Sequence, residues 1–256
     1  MGICERGMCM KTKVTSLVNL NTNPCKMCMP MGAATALCGI RDCITILHGS
    51  QGCATYIRRH MATHYNEPVD IASSSLTEQG TVYGGEKNLK QGLKNVIALY
   101  HPKVIGIMTT CLAETIGEDI EGIKERFYEE NPQYQDITIL PVSSPGYGGT
   151  QYEGYMAVLN AVADKLEMNT QKNEKVNVIL PPQSPADIRY LKNIFRIFEI
   201  DTILLPDIAD NLDGGHTEEY SRLPKGGTDI TELRKMAGAR FTIEISDKSS
   251  AVSPAQ

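Results

Sequence analysis

An α/β protein, built of parallel sheets with helices on both faces, is the fold this sequence predicts. Three observations predict it. Short apolar runs rich in β-branched residues, at 44–47, 104–108, 137–142, 176–180, 202–205 and 240–245, read as buried strands. Segments with helical periodicity lie between them, and strands that alternate with helices pair in parallel through crossovers. At 256 residues and 41% apolar, the chain is long enough to bury a sizeable core.

Taken in order, residues 1–22 read as an irregular leader, 23–170 as a first α/β domain and 171–256 as a second, incomplete one. Small residues from Gly32 to Leu37 predict a helix packed closely on a sheet. The strand at 44–47 ends in His48-Gly49-Ser50-Gln51-Gly52-Cys53, a glycine-rich turn leading into a helix at 54–65. That helix stops before Pro68, because the residue before a proline is pushed out of the helical region. Residues 69–85 read as a Ser, Thr and Gly-rich loop. An amphipathic helix over 86–99 places Leu89, Leu93, Val96, Ile97 and Tyr100 near one face. The strand at 104–108 ends in the polar turn Thr109-Thr110-Cys111, and a helix follows over 118–128. The strand at 137–142 leads through a loop at 143–149 to a helix over 152–166. A polar linker at 168–175 precedes the second set: strand 176–180, helix 186–198, strand 202–205, Gly-rich loop 213–228, helix 229–237 and strand 240–245.

A net charge of −5 leaves no electrostatic footprint for nucleic acid. No apolar run is long enough to span a bilayer, and no export signal is evident, so the expected location is cytoplasmic. All eight cysteines lie at or before position 111. Without export, that bias points to metal or redox chemistry rather than disulfides. Cys38 and Cys43 read as small buried apolar residues, and Cys4 and Cys9 fall in the leader.

Ligands of open α/β sheets bind beyond the carboxyl ends of the strands. Cys53 and Cys111 each follow a predicted strand, and Cys28 immediately precedes the first helix. If the strands are neighbours, the three thiols can converge. A helix N-terminus at Cys53 favours the thiolate, which can ligate a metal or act as a nucleophile. Cys25-x-x-Cys28 alone fits a redox motif or half a zinc site, and a second such pair is missing. A Cys/His enzyme would need His48, His60 or His64 as the base for Cys53. Thiolates so far apart in sequence suit an iron–sulfur cluster better than a zinc knuckle. Most clusters take about four cysteines, so three candidates point to a cluster shared across a subunit interface.

The motifs Asn-Pro-x-Lys-x-Cys at 23–28, His-Gly-Ser-Gln-Gly-Cys at 48–53, Glu67-Pro68, Tyr83-Gly84-Gly85 and Thr-Thr-Cys-Leu-x-Glu-Thr-x-Gly at 109–117 carry a resemblance. In that order, they resemble the β-type side of the nitrogenase component 1 family. The resemblance implies Rossmann-like α/β domains, with the final domain of the family lacking here. It implies Cys28, Cys53 and Cys111 as the metal ligands at the P-cluster position, with the remaining ligands from an α-type partner in a heterodimer or heterotetramer. It further implies an iron protein as reductant and no direct ligand to the molybdenum–iron cofactor.

Two branches of the family then compete. One is a scaffold subunit for iron–molybdenum cofactor biosynthesis, with a [4Fe-4S] cluster; the other is the catalytic β subunit, with an [8Fe-7S] P-cluster. Ala54, where catalytic chains often carry cysteine, and Gly146, where many carry serine, point to the scaffold; keeping all three cysteines fits the catalytic chain too. Arg58 and Arg59 are candidates to face an anionic cluster, Ser73 to Ser75 and Thr77 to close turns or donate at an interface. Glu114 and Glu118 are expected to cap or start the helix after Cys111, and His216, in the loop after Gly214-Gly215, is assigned no role. An exposed apolar surface is expected where the missing domain would pack.

Overall fold

The computed structural model describes residues 27–215, 221–245 and 253–255. The leader, Cys25 and His216 lie outside them. The first element, α1 (Met29–Leu37), is built of small and apolar residues and is buried on every side. The first sheet takes its strands from β1 (Cys43–His48), β2 (Ile71–Ser73), β3 (Val104–Thr109) and β4 (Thr138–Val142). Its helices are α2 (Gln51–His64), α3 (Glu78–Tyr83), α4 (Glu86–Tyr100), α5 (Cys111–Thr115), α6 (Ile120–Glu130) and α7 (Gln151–Lys165). The strands run parallel in the order β2-β1-β3-β4. β3 is buried at every position, as expected of a strand covered on both faces.

The second sheet contains β5 (Val176–Ile179), β6 (Thr202–Leu205) and β7 (Phe241–Glu244), parallel in the order β6-β5-β7. α8 (Pro185–Ile197), α9 (Ala209–Leu212) and α10 (Ile230–Leu233) accompany it. One buried cluster runs from Leu37 of α1 and Tyr155 of α7 to Val178 and Leu205 of the second sheet. A separate cluster packs Leu89, Leu93 and Phe127 of α4 and α6 against Ile46 and Ile105 on the other face of the first sheet. Both faces of that sheet are therefore covered, and α1 links it to the second.

Three expectations are corrected. The 69–85 segment is not one loop: Ile71 to Ser73 pair with β1 as β2, and Thr77 caps α3 by accepting from the Gly80 N–H. Ser and Thr hid both elements, because side-chain bonding at turns is their usual role. The 229–237 segment is not one helix either. α10 ends at Leu233, and a 3-10 turn follows at Met236–Gly238. The 168–175 segment is no free linker. Asn173 donates from its backbone to Gly238 O at 2.8 Å and from its side chain to Lys235 O at 3.0 Å, capturing carbonyls at the end of the helical run. Tyr190 and Ile197 of α8, Phe198 just beyond it, and Phe241 and Ile243 of β7 are exposed.

Candidate metal centre

Strand order reverses at β1. The chain leaves β1 for β2 on one side and β3 on the other, which opens a crevice at the carboxyl ends of β1 and β3. Two of the expected thiols emerge there. Cys53 lies in the first turn of α2, and Cys111 is the first residue of α5, just past Thr109, which pairs with His48 across the two strands. Cys28 arrives from outside the sheet as the N-cap of α1, bridged to Thr150 at the start of α7.

The loop between β4 and α7 closes around the group. The Gly146 N–H donates to Cys111 Sγ at 3.1 Å. A Cβ at Gly146 would lie 3.2 Å from Cys111 Sγ and 3.4 Å from Cys28 Cβ, so both side chains flank one glycine. Burial raises the Cys28 thiol above its ordinary value, against hydrogen bonds from the Met31 and Cys28 backbone; charge on Cys53 and Cys111 raises it further. Two of the thiols thus flank Gly146, and Cys53 lies in the first turn of α2 at the adjacent strand end. Cys53 and Cys111 are exposed, Cys28 is half-buried, and none is in a disulfide.

Among the described residues, no three His, Cys, Asp or Glu side chains stand close enough to hold a single metal ion. A polynuclear cluster spreads its thiolates over several irons and does not need that spacing. Soft donors, two of them exposed, and the space left by the missing Cβ of Gly146 fit such a group. A metal held there would have to displace the proton that burial favours on Cys28.

A polar layer behind the thiols was misread in the sequence. Glu114 caps nothing. It accepts from Thr109 Oγ1 at 2.6 Å and from Ser143 Oγ at 2.5 Å, joining the ends of β3 and β4. Thr110 caps α5, and Asp119 caps α6 by accepting from the Gly122 N–H at 3.0 Å. Glu118 instead accepts from the Gly85 N–H at 2.6 Å and lies 3.4 Å from His48 Nε2. A signal existed: Glu114 falls one position beyond the N3 residue of α5, where a capping box would need it.

His48 bonds two side chains rather than backbone, so it is not a free base for Cys53. The His60 ring packs at a tilt against Tyr56, about 10 Å along the helix from Cys53. Arg58 pairs with Asp70 at 3.0 Å, and Arg59 is exposed. Ser73 to Ser75 bond back to the Gly49 turn and to one another, closing turns. Cys38 and Cys43 pack against the core; burial pushes Cys38 up to about 12 and raises Cys43 as well, consistent with inert thiols. Ala54 is buried in the core, so its side chain faces away from the exposed side of α2 that carries Cys53.

Fold and site together define a parallel α/β protein with Cys28 and Cys111 flanking one glycine at a strand-end crevice and Cys53 at the adjacent strand end. The chain belongs to the nitrogenase component 1 family: the family model described as nitrogenase component 1 type oxidoreductase matches residues 28–255. The nitrogenase molybdenum-iron protein beta chain of Clostridium pasteurianum is 36% identical over 227 residues, which cover 88% of this chain and 50% of that one. The nitrogenase iron-molybdenum cofactor biosynthesis protein NifN of Rippkaea orientalis is 31% identical over 239 residues, covering 89% of this chain and 52% of the relative. A solved structure of nitrogenase Cp1 at pH 6.5 matches with a TM-score of 0.83 at 35% identity, over 94% of this chain and 50% of that chain. The chain spans about half the length of the relatives it matches. No helix among the described residues is long and apolar enough to cross a membrane.

Proposed function

We propose that Cys28, Cys53 and Cys111 ligate an iron–sulfur cluster completed by an α-type partner chain of the same family, in the cytoplasm. The flanking of Gly146 by Cys111 and Cys28, with Cys53 free and exposed in the first turn of α2 at the adjacent strand end, carries this reading. Three cysteines fall short of the usual cluster set, so the partner supplies the rest. The rim of the site supports a partner as well. Tyr147 follows Gly146 and is 67% exposed; Tyr56 lies one turn beyond Cys53 and is 52% exposed. Exposed aromatic residues around a polar centre are what a protein interface covers.

Within this reading the chain serves as the scaffold subunit for iron–molybdenum cofactor biosynthesis. Gly146 supports that role, because it offers Cys111 a backbone N–H and no side-chain ligand. Ala54 no longer does, since its position faces the core. The catalytic β subunit is the second reading, favoured by 36% identity to a beta chain against 31% to NifN. An iron protein is the expected reductant in both. Anaerobic co-purification with the α-type partner, followed by iron and sulfide counts, separates them. The scaffold predicts a four-iron cluster per pair; an eight-iron cluster assigns the catalytic subunit.

A further inference from the structure

His48 closes β1 fully buried, and both ring nitrogens are engaged. Nδ1 lies 2.9 Å from Ser74 Oγ, and Nε2 lies 3.4 Å from Glu118 Oε2. Ser74 Oγ also accepts from the Gly49 N–H at 3.0 Å, and Glu118 Oε1 accepts from the Gly85 N–H at 2.6 Å. With the imidazole neutral and Glu118 a carboxylate, one arrangement satisfies both contacts, although the Ser74 hydroxyl also lies 3.5 Å from Gly49 O. The Ser74 hydroxyl donates to Nδ1, and Nε2–H donates to the Glu118 carboxylate.

The backbone of the same residue is engaged too. His48 O accepts from both the N–H and the hydroxyl of Thr110, each at 3.1 Å. Thr110 immediately precedes Cys111, and Glu118 lies just beyond the helix that Cys111 begins. The segment carrying Cys111 is thus pinned to His48 on both sides of the thiol. The turn carrying Cys53 starts at His48 itself. The surroundings leave little slack: a Cβ at Gly85 would stand 2.8 Å from His48 Cε1.

We propose that His48 is a positioning residue for the thiol site, fixing Cys111 relative to Cys53 through its carbonyl on one side and its imidazole bond to Glu118 on the other. The proposal rests on the cluster reading above. A residue that orients ligands without touching metal acts as an outer-shell partner, and losing one costs about 10–100-fold in metal affinity.

The test uses the anaerobic complex with the α-type partner, loaded with iron and sulfide, and compares His48→Ala, His48→Gln and Cys53→Ala. Pairing and circular dichroism establish that each variant folds. His48→Ala should release iron to a chelator about 10–100-fold faster than the parent, with an altered electron paramagnetic resonance line shape. His48→Gln, which keeps a donor toward Glu118, should restore part of both. Parental release and an unchanged spectrum in His48→Ala would overturn the positioning role while Cys53→Ala still loses its cluster. Full iron in Cys53→Ala would overturn the cluster reading and this proposal with it. If His48→Ala does not fold, Glu118→Gln decides in its place. It keeps the volume and the acceptor for Gly85 but sets an amide donor against Nε2–H, and parental iron release in that variant counts against the proposal.

Discussion

At Gly146 a hydrogen in place of a side chain lets the loop after β4 approach Cys111. Gly146→Ala would put a methyl 3.2 Å from Cys111 Sγ and 3.4 Å from Cys28 Cβ. We expect it to cost about 1–2 kcal/mol in urea unfolding and to lower the iron retained by the pair more than it lowers stability. His48 gives a second prediction. Burial holds its imidazole below the ordinary 6.5, although Glu118 opposes the shift. A depressed histidine is neutral when folded, so its contribution is complete above 6.5 and is lost as pH falls through the lower folded value. Urea midpoints should therefore decline on acidification below pH 6.5, and His48→Gln should flatten that part of the profile. The placement of the cysteines in the fold was legible, because Cys53 and Cys111 follow apolar runs and Cys28 precedes a small-residue helix. The polar layer behind them was not. His48, Ser74 and Glu118 are far apart in sequence, and only the pairing of β1 with β2 and β3 brings them together.

Among the elements, α1 and α7 make the closest backbone approach. A Cβ at Gly154 would stand 1.9 Å from Met29 O, and one at Gly32 would stand 1.7 Å from Gln151 O. No rotamer change relieves a clash with backbone. Gly154→Ala should therefore cost about 3 kcal/mol, read from the urea midpoint, and should displace Cys28, which caps α1. The long elements were legible from periodicity. α4 buries Leu89, Leu93, Val96 and Ile97, four of the five residues expected on its apolar face, and β3 is as apolar as a doubly covered strand must be. Short polar elements were not legible. β2 is Ile-Ala-Ser, and α3 carries a glycine at its centre, so neither has an apolar period to detect. Beyond α10, distant Asn173 takes up the carbonyls of Lys235 and Gly238 around the 3-10 turn, a tertiary effect beyond any local pattern.

In the whole molecule, the first sheet has both faces covered, whereas the second exposes apolar residues on β7 and α8. Ile188 is the one residue of α8 that is buried, while Tyr190, Ile197 and Phe198 are 68%, 67% and 70% exposed. Tyr190→Ser and Phe198→Ser should each change unfolding by less than about 0.5 kcal/mol and together reduce the binding of a hydrophobic dye. The site sits on the covered sheet, where two core clusters and the strand-end hydrogen bonds hold the loops. In the reading proposed here, its exposed side is the one a partner would cover. The most direct measurement is the iron and sulfide content of the anaerobically purified pair, with Cys28→Ala, Cys53→Ala and Cys111→Ala prepared alongside. A shared cluster predicts iron in the parent and its loss in each variant, with pairing intact. Full iron content in all three variants would contradict the assignment of these thiols as ligands.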